Sequence, residues 1–151
     1  MRVAFGFLLL AFAFGQDALA QTISTTQALS WGEVVLTDNN AQREIVIATD
    51  GNFTHDPEYR FVTDPDVGIY QLTGDLPNRP ISSVTVTVLT QMQGGGQQFT
   101  MDNFTVQHPA QTDGSGEALI TVGGRVLSSG DGTPYNTSQP FSASLRLSVN
   151  Y

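Results

Sequence analysis

The chain reads as an antiparallel β-sandwich of about seven to nine short strands, on three observations. The final stretch, from Phe141 to Tyr151, carries an apolar residue at every odd position and Ser, Arg or Asn at every even one. A period of two puts one set on a dry face and the other in water, as in a half-buried strand. After Gln21, no window of ten or more residues keeps a helical period. Gly, Asp, Asn and Pro recur at short intervals between the apolar runs, which is the turn pattern of an all-β domain.

The chain opens on a segment with a different purpose. Met1-Arg2 supplies a positive start, Val3 to Phe14 is nearly all apolar, and Ala18-Leu19-Ala20 offers a small-x-small cleavage site. This is the pattern of a secretory signal peptide, so residues 1–20 are expected to be removed and a single domain to span 21–151. The apolar run falls short of the roughly 20 residues that cross a bilayer, and Gln16-Asp17 follows it.

Thr22 to Ala28 is polar and Thr-rich with only Ile23 to anchor it, and reads as an edge strand or free arm. Leu29 to Leu36 is a strand whose phase changes at Gly32, where a bulge is expected. Arg43 to Thr49 is a strand stopped by the turn Asp50-Gly51-Asn52. From Phe53 to Asp66, Pro57 and Pro65 argue for a loop or a crossing between sheets, because proline has no amide hydrogen to pair. Val67 to Thr73 resumes strand character, and Ser83 to Leu89 alternates Val with Thr, as an antiparallel strand with one solvated side does.

Gln91 to Gln98, with three consecutive glycines, reads as a flexible loop. Phe99 to Val106 is a strand interrupted at Asp102-Asn103. Asp113-Gly114-Ser115-Gly116 turns the chain into Ala118 to Val122, and Gly123-Gly124 allows a kink before Arg125-Val126-Leu127. The terminal strand, with five large apolar side chains and one Ala to bury, would contribute on the order of 8 to 15 kcal/mol before entropy and is expected to be a central element.

Composition narrows the function. Fourteen acidic against six basic residues give a net charge of −8, and lysine is absent. Signal removal takes one residue of each sign, Asp17 and Arg2, so the balance holds. Such a surface repels phosphate backbones and anionic headgroups, which argues against nucleic acid or a membrane as partner. The chain has no cysteine, which excludes thiol catalysis, thiolate zinc sites and disulfides. About 131 residues bury enough apolar surface to fold without staples.

Four stretches together resemble a known family. Leu29-Ser30-Trp31-Gly32-Glu33-Val34, Met101-Asp102-Asn103-Phe104-Thr105, Gly116 to Gly124 and Leu147-Ser148-Val149-Asn150-Tyr151 occur in an order similar to the secreted bacterial domain of unknown function 4402. The likeness covers essentially the whole of 21–151. It implies an immunoglobulin-like sandwich related to fimbrial and spore-coat-U-like subunits, with no established activity and no catalytic residues to carry over. Pilus subunits of the chaperone-usher type usually carry a disulfide and an N-terminal arm of alternating hydrophobics. This chain lacks the first, and Gln21 to Ala28 supplies only Ile23 toward the second.

Candidate chemistry is sparse. His55 and His108 lie in Pro-containing stretches without a second ligand at metal spacing, and Gly114-Ser115-Gly116 is not a Gly-x-Ser-x-Gly nucleophile elbow. No catalytic residue and no cofactor is therefore assigned. The acidic loops are the better site, because Asp64, Asp66, Asp113, Glu117 and Asp131 supply the oxygens that calcium takes. Asp also favours turns for its own backbone hydrogen bonds. Trp31, Tyr59, Tyr70 and Tyr135 would serve a glycan as a stacking platform, or else fill the core. Asn52, Asn103 and Asn136 each begin a glycosylation triplet.

The expected protein is thus a secreted, non-enzymatic structural or adhesive subunit of the cell envelope that pairs with itself or other envelope subunits through strand edges. The alternative is a secreted calcium- or carbohydrate-binding module.

Overall fold

A computed structural model describes residues 21–135 and 140–151, and the expected signal peptide and Asn136 lie outside them. The described residues form ten strands and no helix: β1 (Thr22–Gln27), β2 (Glu33–Leu36), β3 (Glu44–Ile47), β4 (Phe53–His55), β5 (Tyr59–Thr63), β6 (Gly68–Thr73), β7 (Ser83–Gly94), β8 (Gln97–Gln107), β9 (Ala118–Leu127) and β10 (Ser142–Asn150). Every pairing is antiparallel.

The main sheet runs β1-β6-β9-β8-β7-β10, and β9 is its hub. One edge of β9 pairs with β8. The other edge is shared: Ala118 to Val122 pair with β6, and Gly124 to Leu127 with β3, which in turn pairs with β4. β7 and β8 pair only beside their turn, from Met92 to Gly94 against Gln97 to Phe99. Beyond that the two strands part, and β7 carries β10 over as a second layer. A separate ribbon, β2-β5, completes the covering.

Two apolar clusters fill the space between the layers. Leu72, Ala118, Ile120 and Val122 meet Ile81 and Val84, with Val86, Leu147 and Val149 packed against them. Ile45, Ile47, Met101 and Val126 meet Trp31, Tyr59 and Phe99, flanked by Val34, Leu36 and Phe61 from the ribbon. The alternation turns Ala118, Ile120 and Val122, and Val84, Val86 and Val88, inward, while Leu119 points out to solvent, as a period of two requires. The chain is an all-β antiparallel sandwich.

Several elements differ from expectation for local physical reasons. The count is ten because the Pro-containing stretch holds two short strands, β4 and β5, and both prolines fall outside them. β4 has a single partner, and β5 belongs to a two-stranded ribbon, so neither is a central strand. The Gly-rich loop shrinks to a two-residue turn: Gly95 and Gly96 both have positive φ (58° and 81°), the geometry that joins twisted antiparallel strands directly. Trp31 is buried but precedes its strand, and the change of phase at Gly32 (φ 76°) leads into a register shift between Glu33 and Val34. The interruption at Asp102-Asn103 is a bulge with Asn103 at φ 47°.

Gly123 and Gly124 do not kink the chain; β9 runs straight through them. They are glycine because neighbours press on them. A Cβ on Gly123 would lie 2.2 Å from the Ile47 carbonyl oxygen, and one on Gly124 would lie 2.9 Å from the Phe104 ring.

The terminal strand is a correction of a different kind. β10 ends the sheet path and pairs with β7 alone, with Leu145 opposite Val88, Leu147 opposite Val86 and Val149 opposite Val84. Those three side chains are half-buried and Ala143 is exposed, so β10 is a lid on the core and not its centre. Its burial energy is correspondingly smaller than full burial would give.

Gly123→Ala is expected to destabilise the fold by about 3 kcal/mol or more, because backbone on a buried neighbour must move. Gly114→Ala meets nothing within 4 Å and should stay within about 0.5 kcal/mol of the parent. Thermal melts followed by circular dichroism distinguish the two.

Candidate functional site

β10 ends the sheet path and pairs on one side only. The Asn150 carbonyl accepts from the Ser82 amide (2.8 Å) and the Ser148 carbonyl faces the Thr85 hydroxyl (3.5 Å), so even-numbered peptide groups point at β7. Because peptide groups alternate along a strand, those of Leu145, Leu147 and Val149 point away from β7, toward the open edge. Register irregularities are confined to Ser142–Leu145; from Leu145 to Asn150 the pairing is regular. At the other end of the sheet path, β1 is bulged between Thr25 and Gln27.

Bulges, prolines and charges normally guard such an edge. The paired stretches of β7 and β10 contain one charged residue, Arg146, on a chain of net charge −8. Among the described residues, Arg43, Arg79 and Arg125 are held by carboxylates, whereas Arg60 and Arg146 make no ion pair.

A polar clasp fixes the far end of β10. The Asp75 side chain is 3% exposed and accepts from the Leu76 amide (2.7 Å) and the Arg79 guanidinium (2.9 Å). The guanidinium lies 3.5 Å over the Tyr151 ring, a cation–π contact, and Gln21 donates to the Tyr151 hydroxyl. Burial acts to raise the Asp75 carboxyl, but the nearby Tyr151 hydroxyl, the hydrogen bonds from Arg79 and Leu76 and the Arg79 charge outweigh it and hold it below the usual range. Partial burial and the neighbouring Asp75 push the Tyr151 phenol up to about 12. The clasp thus links Gln21 and Tyr151 to one buried carboxylate.

The expected calcium ligands sit in three differently anchored loops. Asp64 and Asp66 flank Pro65, where the Asp66 backbone bridges to Ser30 (2.8 and 2.9 Å). Asp113 closes its own turn, its carboxylate accepting from the amides of Ser115 (2.8 Å) and Glu117 (2.9 Å), while the Glu117 side chain accepts from Gln71. Asp131 accepts from the Ser129 hydroxyl (2.8 Å), the Thr133 amide (2.9 Å) and Asn39 (3.3 Å). The amides donating to Asp113 and to Asp131 lower both carboxyls. Among the described residues no three His, Asp or Glu side chains converge as a metal site would require.

The remaining candidates are equally dispersed. His55 packs on Phe61 (4.9 Å between ring centroids) and faces the Asp56 carbonyl, while Ser115 is an exposed turn residue. Trp31 and Tyr59 are buried in one cluster, Tyr135 stacks on Phe99 (4.2 Å) and Tyr70 packs against the other cluster, so the four rings form no common platform.

Three structural residues had no sequence signal. Asn39, 6% exposed, donates to Ser129, Asp131 and the Thr133 carbonyl and accepts from the Gly130 amide. Gln91 pairs its side-chain amide with the Met101 backbone (2.6 and 3.5 Å), bridging β7 and β8 where they part. Arg125 holds Asp102 through two parallel hydrogen bonds (2.7 and 2.8 Å); cross-strand registry, Asp102 opposite Arg125, makes the pair. No family model, curated protein or solved structure matches the chain.

Asp75, Asp102, Asp113 and Asp131 all titrate below their ordinary value when folded. For Asp102 the leading cause is its hydrogen bonds from Arg125. A lowered folded value means that the unfolded chain takes up protons first as pH falls. Their stabilisation is therefore complete above about pH 5 and drains away as pH drops below about 4. The melting temperature should be level from pH 5 to 7 and fall on further acidification, with a shallower fall in Asp102→Asn. Arg79→Ala, which strips the buried Asp75 of its cation, should cost about 1–3 kcal/mol at neutral pH.

Proposed function

We propose that this protein is a secreted, non-enzymatic structural or adhesive subunit of a cell envelope, which associates with copies of itself or with other envelope subunits by adding strands to its sheet edges. The observation that carries this reading is the β10 edge. From Leu145 to Asn150 it is regular, it is paired on one side among the described residues, and it has no carboxylate on a chain otherwise strongly acidic.

The physical case is one of contrast. Net negative charge keeps copies apart over most of the surface, since like charges repel at any random encounter. An edge without carboxylates, regular from Leu145 to Asn150, offers backbone donors and acceptors that a second strand satisfies, and that is how edge pairing gains affinity. The resemblance to the domain of unknown function 4402 and its fimbrial relatives, and the signal-like residues 1–20, support an exported, surface-associated setting. The absence of disulfides and the sparse N-terminal arm distinguish this subunit from those that polymerise by donating such an arm.

Light scattering of the purified protein over a concentration series, with electron microscopy of the producing cells, tests the reading. Concentration-dependent association and surface material containing the protein are expected. A monodisperse monomer at high concentration, with no such material on the cells, would overturn it.

A further inference from the structure

We propose that two copies of this chain join through β10 in an antiparallel, two-fold pair whose axis passes beside Leu147. The inference rests on the edge-pairing reading above and adds to it the partner strand and its register.

The outward groups decide the geometry. Leu145, Leu147 and Val149 present their N–H and C=O groups to the open edge, six groups per copy. In an antiparallel pair, bonded positions are those where both residues face the partner. With the axis at Leu147, Leu145 meets the second copy's Val149, Leu147 meets its own equivalent, and Val149 meets Leu145. All twelve groups are then satisfied in six hydrogen bonds. An axis at Ser148 leaves only the Leu147–Val149 pairs within the strand, and so four bonds.

Side chains discriminate in the same direction. An axis at Arg146 sets two guanidinium groups directly opposite each other, which destabilises a cross-strand pair. With the axis at Leu147, Arg146 instead faces the second copy's Ser148. The apolar face also continues across the axis. Leu145, Leu147 and Val149 are half-buried in the single chain, and their exposed flanks meet the same residues of the second copy. The paired stretches of β7 and β10 bring no carboxylate to this junction, so the −8 charge of each chain opposes association only from a distance.

Substitution of Ser148 tests the register, because its side chain lies on the polar face and its peptide groups turn toward β7. Ser148→Asp places a carboxylate opposite Arg146 at two equivalent positions and should tighten the dimer about three- to tenfold, an effect that added salt removes. Ser148→Arg sets like charges together and should loosen it by a similar factor. Sedimentation equilibrium reads both, and thermal melts confirm that each variant is folded.

If Ser148→Asp loosens the dimer, the axis lies at Ser148, where two aspartates would oppose, and the proposed register is overturned. If the protein associates but neither substitution changes its affinity, the β10 pair is overturned while edge assembly stands through another strand. A folded protein that stays monomeric at every concentration overturns both.

Discussion

The close packing of β9 against three neighbours is the constraint on which the rest of the structure depends. One strand carries Ile120, Val122 and Val126, all 2% exposed or less, and must pair along one edge with β8 while dividing the other between β6 and β3. The division occurs at Gly123, where the Ile47 carbonyl comes so near that no side chain fits. A single hydrogen atom in place of a methyl group lets two separate strands dock on one edge. Both apolar clusters form around that junction.

From this hub the second layer follows. β8 leaves β9 only at its turn with β7, and the two positive-φ glycines there reverse the chain tightly enough to send β7 back over the core. β10 then pairs with β7, Leu145, Leu147 and Val149 against valines in register, and covers what β7 leaves open. It ends the sheet path, and no strand among the described residues pairs with its outer edge. The same topology that closes the core leaves one row of peptide groups facing solvent.

Electrostatics divides the surface into closed and open regions. Arg125, Arg43 and Arg79 each anchor carboxylates across strands or turns, and the Asp113 and Asp131 loops are held by their own amide donors. These charges are engaged within the chain. Arg146, on β10, has serines and threonines as its neighbours on that face. On an acidic chain, the stretch of β10 with the regular register carries one cation and no carboxylate.

Much of the architecture was legible in the residues alone, because burial on one face of a strand imposes a period of two. That period was plain in Ser83–Leu89, in Ala118–Val122 and in the terminal stretch, and the turns at Asp50-Gly51-Asn52 and Asp113–Gly116 carry their own backbone chemistry. It does not reveal which strand is central. Alternation looks the same on a hub and on a lid, and the terminal strand with the cleanest pattern proved to be the lid. Adjacent glycines were similarly ambiguous, since Gly95-Gly96 makes a turn whereas Gly123-Gly124 admits neighbouring strands. The acidic candidates were visible as residues but not as a site, because whether carboxylates converge depends on where loops far apart in sequence are anchored. Periodicity and turn chemistry are local and can be read from the chain; pairing order, shared edges and open peptide groups arise from contacts between distant strands, and only the folded molecule decides them.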